Sequence, residues 1–322
     1  MSLTTGQKDQ FKREGYVIVE NALKSCDLNP LIERYTQFIN ERSEKLVNDG
    51  KIKHDYKNLS FENRLAKLCQ HDLSIHKNID LMHVRGPAIF NFLINDKLLD
   101  LIESVIGSEI LCSPIQHVRA KLPENLRSTA DHKINQKDLE DAINGDVAPW
   151  HQDAQVHLEE ADPSYILTVW LPLCDTTPEN GCMQIIPKQH LLDTVFWSEG
   201  FGISDANLPK APILPLPMRK GSILLMHKLM PHRSTPNYSD SIRWSLDLRY
   251  QPIGTPTGRP FYPAFKARSL TNPETELKNY DEWDQAWSRA LKALIPSERP
   301  GRSERPLHPS SMLGANKVLP NH

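Results

Sequence analysis

The chain has 322 residues, 39% of them hydrophobic and 24% charged, so it can bury a sizeable core and still fits one elaborated domain. Its formal net charge of −2 shows none of the basic excess expected of a nucleic-acid binder. Five scattered cysteines (Cys26, Cys69, Cys112, Cys174 and Cys182), odd in number and without a CxxC pair, argue against a disulfide framework or a structural zinc site and for a reducing compartment.

The opening MSLTTGQKDQFKREGYVIVE holds no apolar run followed by a small-residue cleavage site. No stretch approaches the ~20 apolar residues that cross a bilayer. The expected location is the cytoplasm. The expected partner is a small-molecule substrate, with no nucleic acid and no membrane.

An amphipathic helical start leads into a short strand at 16–20, YVIVE. Asp27 is the expected N-cap of a helix running to about Val47, with Leu28, Leu31, Tyr35 and Phe38 on one stripe. Helices are also expected at 61–70 and 87–106. Strand-like runs then follow at Ile110–Val118, Tyr165–Leu173, Met183–Pro187, Ile213–Leu216, Ser222–Met226 and Arg243–Tyr250. Turn signals at Asn180-Gly181, Lys220-Gly221 and Pro236-Asn237 separate them. Beyond Pro252 come a proline- and glycine-rich arm and a helix around Glu282–Leu294. The pattern predicts a mainly β fold with flanking helices, a sandwich or barrel.

The expected organisation is a single domain over 1–296, with a helical part at 1–108, a β core at 109–255 and an arm and helix at 256–296. The polar, proline-rich stretch 297–322 is expected to be a flexible tail. Two long connections, 122–147 and 188–212, are the kind that serve as lids. The charged run at 131–141 within the first reads as an exposed helix or a disordered lid.

The chemistry is expected at His151-Gln152-Asp153, because a His-x-Asp spacing puts both side chains on one face of a strand. Pro231-His232-Arg233-Ser234 supplies a third ligand type after the Gly221 turn. Two histidines and a carboxylate form the facial triad of non-haem Fe(II) oxygenases, which leaves three positions open for a bidentate 2-oxo acid and O₂. On ligand type alone a zinc hydrolase is also open. Arg243 bears on the choice. It lies eleven residues after His232, and alternation puts Arg243, Ser245, Asp247 and Arg249 on the face opposite Ile242, Trp244, Leu246, Leu248 and Tyr250. A planar guanidinium on a cavity-lining face suits a bidentate carboxylate such as the far end of 2-oxoglutarate.

These residues bring the chain close to a known family. His151-Gln152-Asp153, Val169-Trp170-Leu171-Pro172, Glu179-Asn180-Gly181-Cys182, Ile186-Pro187, and Gly221 with His232, Ser234, Asn237 and Arg243 occur in the order seen in the phytanoyl-CoA dioxygenase family, which the chain resembles over roughly 5–255. The resemblance implies a double-stranded β-helix (jelly-roll or cupin-like) core with N-terminal helices packed on one sheet. It implies Fe(II) on His151, Asp153 and His232, and the far carboxylate of 2-oxoglutarate on Arg243 and Ser234. It also places Lys121, Gln152 and Trp170 at cosubstrate positions. O₂ is the co-reactant, and ascorbate is expected to help in vitro. Asp153 is intact, unlike in the family's halogenases, so hydroxylation or another oxidation is expected, with succinate and CO₂ released.

Blander assignments stand beside these. Gln152 could be an outward-facing strand residue, Trp170 core, His157 solvated, and His190 and His227 structural. Asp247 and Arg249 are expected to form an internal ion pair. Two other functions remain open at this level: a metal-dependent hydrolase or isomerase on a cupin-like barrel, and a non-catalytic binding module.

Overall fold

The computed structural model describes residues 1–126, 148–196 and 202–293. The charged run at 131–141, the 197–201 part of the second connection and the tail at 297–322 lie outside the described residues.

Helix α1 (Thr5–Glu14) starts on a Thr4–Gln7 capping box and stops at Gly15, whose φ of 81° lets the chain turn into β1 (Tyr16–Val19). Helix α2 (Ser25–Asn48) follows. Asp27 sits at its third position and accepts the Lys24 backbone N–H, so Lys24 and not Asp27 occupies the N-cap. The buried stripe is the expected one, Leu28, Leu31, Tyr35 and Phe38 included. Helix α3 (Phe61–Cys69) and the short α4 (Leu81–Val84) precede a pair where one helix was expected. Helices α5 (Pro87–Leu93) and α6 (Asp96–Ile106) are separate because the Asn95 side chain accepts from Lys97 N and Leu98 N and starts a new helix.

The predicted strand at 110–118 is also two: β2 (Glu109–Cys112) and β3 (His117–Lys121). Between them Ser-Pro-Ile-Gln breaks the ladder at Pro114, which has no N–H to give. The core continues with β4 (Leu167–Pro172), β5 (Met183–Ile185), β6 (Leu214–Leu216), β7 (Ile223–His227), β8 (His232–Ser234) and β9 (Arg243–Pro252). The proline- and glycine-rich arm after Pro252 is followed by a strand for which the sequence carries no expectation, β10 (Phe265–Ser269). It pairs with the edge of β2 and protects it. Helix α7 (Tyr280–Ala293) closes the described chain.

Among the described residues the strands form two antiparallel sheets. One has the order β1-β7-β4-β9-β2-β10, with β3 also on β9; the other has the order β6-β5-β8. This is the double-stranded β-helix architecture. Its largest core lies outside the barrel, between the large sheet and the helices. Trp244, Leu246, Leu248 and Tyr250 of β9 face Tyr35 and Leu31 of α2, Phe90 of α5 and Leu101 of α6 within one buried cluster. A second, smaller cluster lies between the sheets and contains Trp170, Met183, Ile185, Leu224 and Met226. Beside this second cluster the polar face of β9 is enclosed, as alternation required. No helix among the described residues is long and apolar enough to cross a membrane.

Trp244 joins the helical layer to the sheet: its ring stacks on Phe61 at 4.4 Å and meets Tyr35 at 5.4 Å. Trp244→Ala is expected to cost about 3–5 kcal/mol of unfolding free energy, read as a lower urea midpoint. An unchanged midpoint would show that the layers are held elsewhere.

Candidate active site

His151 and His232 come together through the backbone. They form an isolated antiparallel bridge, with His151 N to His232 O at 3.0 Å and His232 N to His151 O at 2.9 Å. Their rings lie side by side, with centroids 4.2 Å apart. Asp153 is two residues on, but it opens a 3₁₀ turn, Asp153–Val156, and does not continue a strand. The same-strand geometry expected of His-x-Asp is therefore replaced by a bridge and a turn. The convergence survives: Asp153 Oδ1 is 3.9 Å from Nε2 of each histidine. The three ligand atoms lie within 4.8 Å of one another and all three residues are buried.

The histidines present the right nitrogen. His151 Nδ1 bonds Pro149 O at 2.8 Å and His232 Nδ1 bonds Met230 O at 2.9 Å. A carbonyl partner puts the proton on Nδ1, leaving the Nε2 lone pair toward the centre. Burial, helped by the neighbouring His232, lowers the His151 pKa to about 4, so the ring is neutral and able to ligate at pH 7. Burial alone would raise the Asp153 pKa. The Arg249 guanidinium and the two histidines outweigh it and hold the carboxyl well below the usual carboxylate range. Two imidazoles and one carboxylate, converging in a buried site, fit a divalent transition metal.

Arg249 is the partner that sequence reasoning missed. It was placed on the correct face and given Asp247 as its partner. It does approach Asp247 Oδ2 at 3.3 Å, but its shorter contact is Asp153 Oδ1 at 2.6 Å. Thr168 Oγ1 bonds the other oxygen, Asp153 Oδ2. The pairing follows from register, since Thr168 on β4 lies opposite Arg249 on β9. Without the register, no signal in the sequence connects Thr168 to Asp153.

Farther along β9 is a cationic pole. Arg243 is 2% exposed; it bonds Ser245 Oγ through one nitrogen, and among the described residues its Nε has no partner. Its guanidinium carbon lies 5.7 Å from the centroid of the Trp170 ring. Opposite Arg243 in the ladder is Lys121, whose ammonium donates to Ser234 Oγ and Thr235 O, each at 2.6 Å. The stem of Lys121 passes Gly181, where φ is +90° and a Cβ would lie 2.9 Å from Lys121 Cδ. A buried guanidinium with an orphaned donor beside a lysine and a hydroxyl is a fit site for a carboxylate. Lys121, Trp170, Ser234 and Arg243 are thus brought together. Gln152 is not. Its amide donates to Thr194 O at 2.9 Å and Leu229 O at 2.7 Å and accepts from Phe196 N at 2.7 Å. These bonds tie the following connection to the barrel.

Among the remaining histidines, His157 is 1% exposed rather than solvated, with Nδ1 3.2 Å from Thr257 O. His227 is buried at the end of β7, against the rings of Tyr165 and His190.

A double-stranded β-helix that converges two histidines and a carboxylate beside a buried guanidinium defines the non-haem, 2-oxoglutarate-dependent oxygenase class. Comparison with known proteins narrows this. The family model for phytanoyl-CoA dioxygenase (PhyH) matches residues 11–245, and the chain belongs to that family. "Phytanoyl-CoA dioxygenase domain-containing protein 1" of Danio rerio is 24% identical over 282 residues, covering 75% of this chain and 87% of its own. A "Methylphosphonate hydroxylase" of Gimesia maris is 24% identical over 274 residues, covering 85% and 90%. The apo structure of ThoJ, described as a non-heme monooxygenase, superposes with a TM-score of 0.56 at 17% identity, covering 89% of this chain and 96% of that one.

Burial lowers the pKa of His151 to about 4, of His157 to about 3 and of His227 well below 6.5. The unfolded chain therefore binds more protons than the fold as pH falls below about 6.5, and stability is lost in that direction. The urea midpoint of the metal-free chain should be level above pH 6.5 and fall between about pH 6.5 and 4. A midpoint that does not change across this window would contradict the burial of neutral rings.

Proposed function

We propose that His151, Asp153 and His232 hold Fe(II), and that Arg243 and Ser234, beside Lys121 and Trp170, bind the far carboxylate of 2-oxoglutarate. The single observation that carries this reading is the convergence of the three ligand atoms within 4.8 Å, with both histidine Nδ1 atoms engaged by carbonyls. Bound together, iron and 2-oxoglutarate supply the oxidising power to use O₂ on a C–H bond of a small organic substrate, with succinate and CO₂ as by-products. The chain's own contribution is placement. Arg243 fixes the far end of the cosubstrate, and the Trp170 face packs beside that guanidinium. The apolar cluster of Met183, Leu224 and Met226 keeps water from this end of the barrel. Gln152 acts from outside, holding the 194–196 segment against the barrel.

The wall beside the centre points to a polar substrate. Between the buried Arg243 and Arg249, the partly exposed side chains on the cavity face of β3 and β9 are His117, Arg119 and Asp247, with side-chain exposures of 22%, 26% and 17%. Long apolar chains gain nothing from such a wall, whereas a small charged or hydroxylated molecule does. The related methylphosphonate hydroxylase is named for a substrate of that kind.

The test is succinate formation from 2-oxoglutarate by purified chain with Fe(II), ascorbate and air. Uncoupled turnover is expected without any added substrate. His151→Ala, Asp153→Ala and His232→Ala should abolish it. Arg243→Ala should raise the KM for 2-oxoglutarate about 10²-fold, the scale of a lost charge-assisted contact. Wild-type turnover in any of the three ligand variants would overturn the metal assignment, and an unchanged KM in Arg243→Ala would overturn the cosubstrate assignment.

A further inference from the structure

Asp153 is the triad member with no backbone bridge to aim it. It opens a 3₁₀ turn, and its side chain is completely buried. Its orientation must come from what touches its two oxygens, and each oxygen has its own partner. Oδ1 is the oxygen turned to both histidines, and it accepts from Arg249 Nη2 at 2.6 Å. Oδ2 accepts from Thr168 Oγ1. The two donors are cross-strand neighbours, Thr168 on β4 and Arg249 on β9, so one rung of the sheet carries the whole device. Both are buried, at 1% and 2% exposure. Arg249 is itself held in place. Its carbonyl accepts from Ser113 N at 3.0 Å and Gln116 Nε2 at 2.8 Å, and Asp247 lies 3.3 Å from its Nη2. Among the described residues its Nε and Nη1 have no partner, and Nη2 anchors the guanidinium.

We infer that Thr168 and Arg249 are positioning residues that restrict Asp153 to one-oxygen ligation, with Oδ1 given to the metal and Oδ2 withheld from it. The inference rests on the Fe(II) reading above and goes beyond it by explaining how coordination positions are kept open. An octahedral ion with two histidines and a one-oxygen carboxylate keeps three free positions, enough for a chelating 2-oxo acid and O₂. A carboxylate chelating through both oxygens would close one of them. The metal would then be held at least as well, but the cosubstrate and O₂ would compete for the remaining two. Thr168 prevents this by holding Oδ2 turned toward β4, and Arg249 by pinning the direction from which Oδ1 faces the two histidines.

This role separates two affinities that a merely structural role would lower together. The experiment measures, without O₂, the affinity of the full chain for Fe(II) and then the affinity of the Fe(II)-loaded chain for 2-oxoglutarate. Thr168→Val should keep Fe(II) affinity within a few-fold of wild type while weakening 2-oxoglutarate binding on the order of 10-fold or more, as expected if a second carboxylate oxygen closes one of the open positions. Thr168→Ser restores the hydroxyl and should bind both as wild type does. Arg249→Lys keeps the charge but carries it on a flexible stem that does not fix a donor where Nη2 lies; it should show the same split, and it serves if the valine variant does not fold. Three outcomes would overturn the inference: wild-type 2-oxoglutarate affinity in iron-loaded Thr168→Val or Arg249→Lys, a parallel loss of both affinities, or failure of serine to rescue. If the wild-type chain bound no Fe(II), the underlying reading would fall and this one with it, and that result is visible before any variant is made.

Discussion

Taking the Asp153 carboxylate wholly out of water would cost several kcal/mol if nothing compensated it. The barrel is arranged so that something does. Arg249 lies 2.6 Å from one oxygen, and Thr168 bonds the other. The two come from neighbouring strands, so the carboxylate can be buried only when β4 and β9 are in register. The site and the fold are in this sense one structure. The same electrostatics that keep the carboxyl ionised make it a ready ligand for a divalent ion, which adds the positive charge that the site still lacks.

The two faces of β9 show how a single strand serves both purposes. Trp244, Leu246, Leu248 and Tyr250 face the helices and build the main core. Arg243, Ser245, Asp247 and Arg249 face inward and build the site. Burial of the first set fixes the second, because a one-residue slip would exchange them. Helices α2 and α3 therefore reach the chemistry without touching it, through the stacking of Phe61 on Trp244 and the tilted contact of Tyr35 with the same ring.

This division was legible in the sequence, since period-two alternation is a direct reading of strand geometry. So were the triad, the Arg243 pole and the barrel, through motif order. What was hidden depended on three-dimensional register or on local capping. Asn95 split one expected helix by offering its side chain as a cap. Pro114 interrupts one expected strand, and β10 emerged from a stretch whose prolines and glycines signalled only turns. Gln152 lies inside the most recognisable motif, yet its buried amide is engaged by three backbone groups. Arg249 was read as the partner of its near neighbour Asp247. Its stronger partner is ninety-six positions away in sequence and becomes visible only when β4 and β9 are laid side by side.

The central claim is that the triad holds an iron that in turn receives the cosubstrate. Equilibrium binding of 2-oxoglutarate to the purified chain without O₂, with and without Fe(II), tests it most directly. The account expects one molecule bound per chain in the presence of Fe(II), with binding sharply weakened when the metal is withheld or removed by a chelator, because Arg243 then holds only one end. Equal affinity with and without Fe(II) would contradict the account, since it would place the cosubstrate away from His151, Asp153 and His232.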